Sequence, residues 1–180
     1  MIRLFVAIEL PGAVRERLAD LGQGVPGARW MPAENLHLTL RFIGEVEEEI
    51  GDDIDAALDS VRAPGFDLAF ERVDAFGSKE RARSIWAGIA PNPALDRLQG
   101  RIESALVRAG LPPEGRKFVP HVTLARLRSA HPAHVADYLS DHGQIAFEPV
   151  KVRAFTLFSS FLSHSGAIHT AEAVYTLDGL

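Results

Sequence analysis

The sequence lacks cysteine, which excludes disulfide bonds, thiolate metal sites and cysteine nucleophiles. It also lacks any apolar run close to the roughly 18 residues that a membrane-spanning helix requires. The apolar stretch at the N-terminus stops at Glu9 and Pro11, which predicts a first strand followed by a turn and not a signal peptide. We therefore expect a cytoplasmic protein with no membrane segment.

A phosphate-binding loop of the GxxxxGK type is absent as well, so ATP-driven ligation has no support in the sequence. The net charge of −5 disfavours nonspecific binding of polyanions. Eight acidic residues and no basic residue lie between Glu45 and Asp59, a pattern typical of a solvated helix face. All the charged residues between 115 and 128 are basic, so we expect a bound phosphate there: Arg116, Lys117, Arg126 and Arg128.

Alternating strand and helix patterns predict an α+β fold for residues 1–180, taken as one domain of two lobes. Connections of hairpin length prevail in the C-terminal half, which favours mainly antiparallel sheets. Asn92 and Pro93 predict the start of one helix, and Gly110 predicts its end. Strands are predicted at 2–9, 35–43, 66–76, 84–90, 120–127, 144–148, 150–159 and 168–177, with helices at 12–22, 46–61, from Asn92, and after Pro132.

One short motif occurs twice, as His-Leu-Thr-Leu from His37 and as His-Val-Thr-Leu from His121. Side chains in a strand alternate between two faces, so each histidine shares a face with Thr39 or Thr123, while the apolar residues face a core. A single such histidine is more often structural, but two copies on half-buried strands favour a functional site. The repeat suggests two similar lobes that each contribute one strand to a shared groove.

The same alternation predicts different faces for the arginines that follow the two motifs. Arg41 falls on the face of His37 and Thr39, where a substrate could contact it. Arg126 falls on the apolar face of its strand, so it reaches a phosphate only if the strand bends, bulges or ends before it.

Two histidines and two threonines are suited to hydrolysing a cyclic phosphodiester. One imidazole activates water on one side of phosphorus, and the other protonates the departing sugar oxygen on the opposite side. Thr39, Thr123 and Arg126 would hold the non-bridging oxygens and stabilise the charge that develops there. These residue types alone do not decide which histidine is the acid.

The sequence resembles the two-histidine phosphoesterase superfamily, in its branch of bacterial and archaeal RNA 2′,3′-cyclic phosphodiesterases, also called the 2′–5′ RNA ligase family. The resemblance implies a bilobal fold with pseudo-twofold symmetry, two mainly antiparallel sheets flanking a central cleft, and helices on the outside. It spans nearly the whole chain and depends on Arg3–Ile8, Trp30, Pro32, Leu36–Gly44, Arg83–Gly88 and Pro120–Arg126.

The resemblance also implies a reaction, the hydrolysis of 2′,3′-cyclic phosphate on RNA ends or small nucleotides to a 2′-phosphate, without a metal or other cofactor. It makes His37 the general acid that protonates the leaving 3′ oxygen, His121 the general base that activates water, and Arg126 a phosphate ligand. His169 stands where many relatives carry a tyrosine, a departure that could alter contacts to the base or the backbone. A monomer is the default for a chain with an internal two-lobed repeat.

Other candidate residues have simpler interpretations. His131 and His134 have a spacing that could serve a metal, but no third ligand clusters with them. Phe5 and Trp86 could stack on a terminal base, although packing in the core is the favoured interpretation of both.

Other functions would use the same residues. A non-catalytic module could bind nucleotides or RNA ends in the cleft, but such a module could lose either imidazole, and here both motifs are intact. Reversible 2′–5′ ligation and hydrolysis of another cyclic phosphodiester stay open at this point.

Overall fold

Ten strands and four helices make up residues 1–179, the part of the chain that the computed structural model describes. A short 3₁₀ helix at Ala33–Asn35 leads into the first motif. In chain order the elements are β1 (Ile2–Glu9), α1 (Gly12–Ala19), β2 (Ala28–Trp30), β3 (His37–Val46), α2 (Glu48–Asp59), β4 (Phe66–Leu68), β5 (Phe70–Gly77), β6 (Ala82–Ile89), α3 (Pro93–Arg108), β7 (His121–Leu127), α4 (Pro132–Asp141), β8 (Val150–Val152), β9 (Ala154–Ser163) and β10 (Gly166–Thr176).

The strands form two four-stranded sheets, ordered β10-β9-β1-β3 and β2-β7-β6-β5, and a small pair of β4 with β8. Every neighbouring pair within these sheets is antiparallel. Each large sheet carries one motif strand, and β3 and β7 have Cα atoms within 8 Å of each other. The predicted α+β fold with two mainly antiparallel sheets is confirmed.

Helix α3 begins and ends where the sequence predicts. The Asn92 side chain accepts a hydrogen bond of 3.0 Å from the backbone N–H of Leu95, and Pro93 occupies the first turn. The helix ends at Arg108, and Gly110 follows in the left-handed region with φ of +103°. Among residues 1–179, no helix has the length and apolar character needed to cross a membrane.

Several predicted boundaries were wrong. The predicted strand 66–76 is divided at Ala69 because β4 pairs with β8 whereas β5 pairs with β6. The predicted strand 150–159 is divided at Arg153 for the same reason, since β9 pairs with β1 and β10. The segment 144–148 forms no strand, and β2 was not predicted because three residues carry too little pattern. Helix α2 is shorter at both ends than the predicted 46–61.

Candidate active site

The two motifs open strands β3 and β7, and alternation holds over their first residues. His37 and Thr39 are half-buried while Leu38 between them is 0% exposed. His121 and Thr123 are half-buried in the same way around the buried Val122. Each strand therefore presents one imidazole and one hydroxyl on the face opposite its buried side.

Both strands then contain the same irregularity, directly after the threonine. The pairing of β3 with β1 passes from Thr39 to Arg41 and leaves Leu40 without an opposite residue. The pairing of β7 with β6 passes from Thr123 to Ala125 and leaves Leu124 without one. A bulge of one extra residue reverses which face the following side chains occupy.

The bulge in β7 brings Arg126 to the face that carries His121 and Thr123. Ala125 is 0% exposed, whereas Arg126 is exposed and lies beyond Thr123 on the same side as His121. Its positive charge is close enough to contribute to the lowered pKa of His121. The sequence analysis allowed Arg126 to reach a phosphate only if the strand bent, bulged or ended before it. The bulge at Leu124 meets this condition.

The bulge in β3 has the opposite effect on Arg41, whose predicted position on the motif face was wrong. Arg41 is only 7% exposed and forms an ion pair with Glu103. Its guanidinium also donates to the carbonyl oxygens of Pro112 at 2.6 Å and Phe42 at 3.1 Å. The side chain binds partners within the protein and is turned away from the face that a substrate would contact.

This ion pair gives a prediction for stability. Glu103→Ala is expected to lower the free energy of unfolding by about 3–5 kcal/mol, because it leaves a buried guanidinium without its counter-charge. Glu45→Ala is the matched control, since it breaks the exposed pair with Arg3 and should cost less than about 1 kcal/mol. Urea unfolding measures both values. Equal losses for the two variants would contradict the structural role of Arg41.

Phe42 takes the place that Arg41 was predicted to hold, and sequence reasoning missed it. The side chain is 57% exposed, and its ring centroid lies 6.1 Å from that of Phe5. Phe42 is the fifth residue after His37, as Arg126 is the fifth after His121. Aligning the two copies beyond the shared motif would have revealed this correspondence.

His37 lies in an aromatic cluster. Its ring centroid is 4.8 Å from Phe5, 6.3 Å from Phe158 and 5.3 Å from His169. Burial and the neighbouring His169 lower the pKa of His37 to about 4, against a hydrogen bond with the Asn35 backbone that raises it. Phe5 itself is 3% exposed and also contacts the rings of His169 and Phe158, so little of its ring is available to a substrate.

His121 has a similar but more open environment. Its ring centroid lies 4.9 Å from Phe76 and 5.8 Å from Trp86, and its Nδ1 atom is 2.6 Å from the carbonyl oxygen of Val119. Because a carbonyl only accepts, Nδ1 carries the proton and Nε2 of the neutral ring keeps a free lone pair. Burial, together with Arg126, lowers the pKa of His121.

The remaining predicted residues lie outside this arrangement. Arg116 pairs with Glu114, and the rings of His131 and His134 are 5.4 Å apart at the start of α4. No group of three or more potential ligands that could hold a metal occurs within residues 1–179. Two surface cavities, of about 360 and 590 Å³, are lined by residues other than the motif histidines.

The assembled side chains can perform proton transfer at a phosphate. One imidazole per sheet, one hydroxyl beside each, and the Arg126 guanidinium share the faces of two strands that adjoin each other. Hydroxyl and guanidinium groups donate to phosphate oxygens, and neutral or charged imidazole exchanges protons near neutral pH.

Comparison with known proteins agrees with this geometry. The chain is 33% identical over 177 residues to the RNA 2′,3′-cyclic phosphodiesterase of Archaeoglobus fulgidus, covering 97% of this chain and 99% of that one. It is 36% identical over 149 residues to the protein of that name from Aeropyrum pernix, covering 81% and 84%. The crystal structure of Escherichia coli LigT complexed with 3′-AMP superposes with a TM-score of 0.81 at 28% identity, covering 99% and 98%. The model of the family described as LigT like Phosphoesterase matches residues 8–86 and 88–169, which include both histidine motifs, so this chain belongs to that family.

Proposed function

We propose that the protein hydrolyses 2′,3′-cyclic phosphates on RNA ends or small nucleotides and leaves a 2′-phosphate. The observation that carries the proposal is the repeated motif, with a histidine and a threonine on each of two adjoining strands and the same bulge after each threonine. The names of the relatives from Archaeoglobus fulgidus and Aeropyrum pernix, RNA 2′,3′-cyclic phosphodiesterases, support the same substrate.

In the proposed mechanism His121 is the general base. Its Nδ1–H is held by the Val119 carbonyl, so the Nε2 lone pair is free to take a proton from water. The water oxygen forms a bond to phosphorus as the bond from phosphorus to the 3′ oxygen breaks. His37 protonates that oxygen, and the phosphate stays on the 2′ oxygen.

Three further side chains are proposed to bind the phosphate. Thr39 and Thr123 would donate their hydroxyl hydrogens to the two non-bridging oxygens, one from each sheet. Arg126 would supply the positive charge that stabilises the pentacoordinate transition state. Phe5 would act through His37, whose ring it contacts, more than through the substrate.

The lowered pKa of His37 bears on this assignment, since a general acid must carry a proton. With a pKa of about 4 the free protein holds His37 mostly neutral at pH 7. A bound phosphate anion favours the imidazolium form and raises this pKa in the complex. The free protein therefore reacts through a minority protonation state.

We expect kcat/KM to show a bell-shaped pH dependence with its maximum below pH 6.5. The profile of kcat/KM follows the ionisations of the free protein. Both imidazoles have pKa values lowered from 6.5. The maximum of a bell-shaped profile lies midway between the two pKa values that define its limbs, so it lies below 6.5. The maximum of kcat should lie at higher pH, because the bound anion raises the pKa of His37.

His169→Gln tests the origin of the acidic limb. It removes the imidazole whose charge lowers the pKa of His37, so the limb should move to higher pH. His164→Gln, in the exposed turn between β9 and β10, is the matched control and should leave the profile unchanged. A kcat/KM maximum above about pH 7 in the wild type would contradict the assignment of the two ionisations.

Other uses of the site predict different products. A binding module would retain the RNA end and leave the cyclic phosphate intact. Reversible 2′–5′ ligation would join a 5′-hydroxyl end to the cyclic phosphate at high concentrations of RNA ends. The presence of both imidazoles favours an enzyme over a binding module, because binding alone needs only the oxyanion donors.

The direct test uses a short RNA ending in a 2′,3′-cyclic phosphate, incubated with the wild type in EDTA. We expect conversion to a 2′-phosphate end, identified against synthetic 2′- and 3′-phosphate standards, while the same RNA ending in a 3′-phosphate stays unchanged. Binding without conversion would replace the enzyme with the binding module. Conversion only after a divalent metal is restored would contradict the proposed metal-free mechanism.

We also propose that residues 1–180 form one two-lobed domain that acts as a cytoplasmic monomer. One continuous cluster of buried side chains includes residues of both sheets, which supports a single folding unit. Each lobe supplies one motif strand, so one chain holds a complete site. The absence of cysteine suits a reducing compartment.

A further inference from the structure

Two arginines lie directly opposite each other at the edge of the second sheet. Strand β2 pairs with β7 in the register that places Arg29 opposite Arg126. Opposite residues of an antiparallel pair point to the same face, about 4.5–5.5 Å apart. Arg29 therefore lies on the face of the catalytic motif, one strand beyond Arg126.

This pairing brings two like charges together without compensation. Both side chains are exposed, and no carboxylate in residues 1–179 lies within 4.0 Å of either guanidinium. Like charges directly opposite each other in a sheet are destabilising.

Arg29 also reaches toward the other sheet. A Cβ atom placed on Gly166 would lie 3.4 Å from Nη2 of Arg29, so the guanidinium is next to the first residue of β10. The hairpin of β9 and β10 belongs to the sheet that carries His37, and it extends beyond the residues of β9 that pair with β1. Arg29 thus lies between the sheet that carries His121 and the β9–β10 hairpin of the sheet that carries His37.

We propose that Arg29 binds a second phosphate, the internucleotide phosphate on the 5′ side of the terminal nucleotide, while Arg126 holds the cyclic phosphate. The inference rests on the proposed function and specifies its substrate class as RNA ends in preference to free cyclic mononucleotides. A cyclic phosphate ends the RNA strand, so the only neighbouring phosphate is on its 5′ side. A guanidinium binds phosphate oxygens in pairs, and a phosphate at Arg29 would offset the repulsion from Arg126.

The test compares kcat/KM for three substrates: adenosine 2′,3′-cyclic phosphate, the same nucleotide with a 5′-phosphate, and a diadenosine dinucleotide ending in a cyclic phosphate. Arg29→Gln is expected to lower kcat/KM about tenfold for the two substrates with a second phosphate, and less than about twofold for the first. Arg29→Lys should keep part of the preference, because it keeps the charge and loses the paired donors. Arg97→Gln, which removes an exposed charge from α3, is the matched control.

Each other outcome overturns the inference. Equal losses on all three substrates would assign Arg29 to the cyclic phosphate itself, and no loss on any would exclude a substrate contact. The same loss for Arg97→Gln would show that the effect comes from the overall charge of the protein and not from a contact with Arg29. If the wild type hydrolyses none of the three substrates, both the proposed function and this inference are contradicted. If it hydrolyses the first substrate, the proposed function stands, whatever the results for the Arg29 variants.

Discussion

Replacing His37 or His121 with alanine is expected to lower kcat by about 10²–10⁴-fold, the usual contribution of a positioned acid or base. Each variant removes one of the two proton transfers on which opening of the cyclic ester depends. The double variant should lose little more than the worse single variant, because residues that act on one transition state are not additive. Initial rates on an RNA with a cyclic phosphate end measure all three.

Two controls separate catalysis from folding. His134→Ala removes an exposed imidazole of α4 and should keep the wild-type rate. His37→Gln keeps more of the volume that Phe5 and Phe158 contact, so its unfolding transition should stay close to that of the wild type while its rate does not. A folded variant at either motif histidine that keeps more than about a tenth of the wild-type rate would refute that residue's role.

Arg126→Gln is expected to lower kcat/KM by about 10²–10³-fold, the usual effect of removing one donor to a developing oxyanion. A second readout follows from electrostatics. Arg126 lowers the pKa of His121, so its removal should raise that pKa and move the kcat/KM maximum to higher pH.

Arg128→Gln is the matched control for this prediction. Arg128 is two residues further on, exposed and beyond the end of β7, so its loss should change kcat/KM by less than about threefold. Similar losses for the two variants would mean that Arg126 acts only through general positive charge. A loss for Arg126→Gln without any shift in the pH maximum would contradict its proximity to His121.

The sequence predicted the features that depend on a strand's or a helix's own residues. The alternation around His37 and His121 placed each imidazole beside its threonine, and the Asn92 cap set the start of α3. The approximate course of β1 and β7 was predicted for the same reason. Each of these features depends on contacts close in the chain, which local pattern describes directly.

The features that were missed depend on neighbouring strands. The bulge at Leu40 is defined by the register of β3 against β1, and the bulge at Leu124 by the register of β7 against β6. Alternation within β3 alone therefore predicted the wrong face for Arg41 and no role for Phe42. Arg29 lies on a strand of three residues that is defined only by pairing with β7. Pairing between distant segments carries this information, and a single strand does not.

The repeated motif does not make the two lobes chemically equivalent. Five residues after the histidine, one lobe exposes the Phe42 ring and the other the Arg126 guanidinium. The environments of the histidines differ as well, since His37 is next to a second imidazole and His121 is next to an arginine. The two histidines are therefore not interchangeable, in line with the different roles proposed for them.

The central claim is that His37 and His121 act on opposite sides of one phosphorus atom. It is tested most directly with a cyclic phosphate whose 3′ oxygen is replaced by sulfur, because a thiolate leaves without being protonated. We predict that His37→Ala loses about 10²–10⁴-fold on the oxygen substrate but less than about tenfold on the sulfur substrate, whereas His121→Ala is impaired on both. Equal impairment of His37→Ala on the two substrates would contradict the claim.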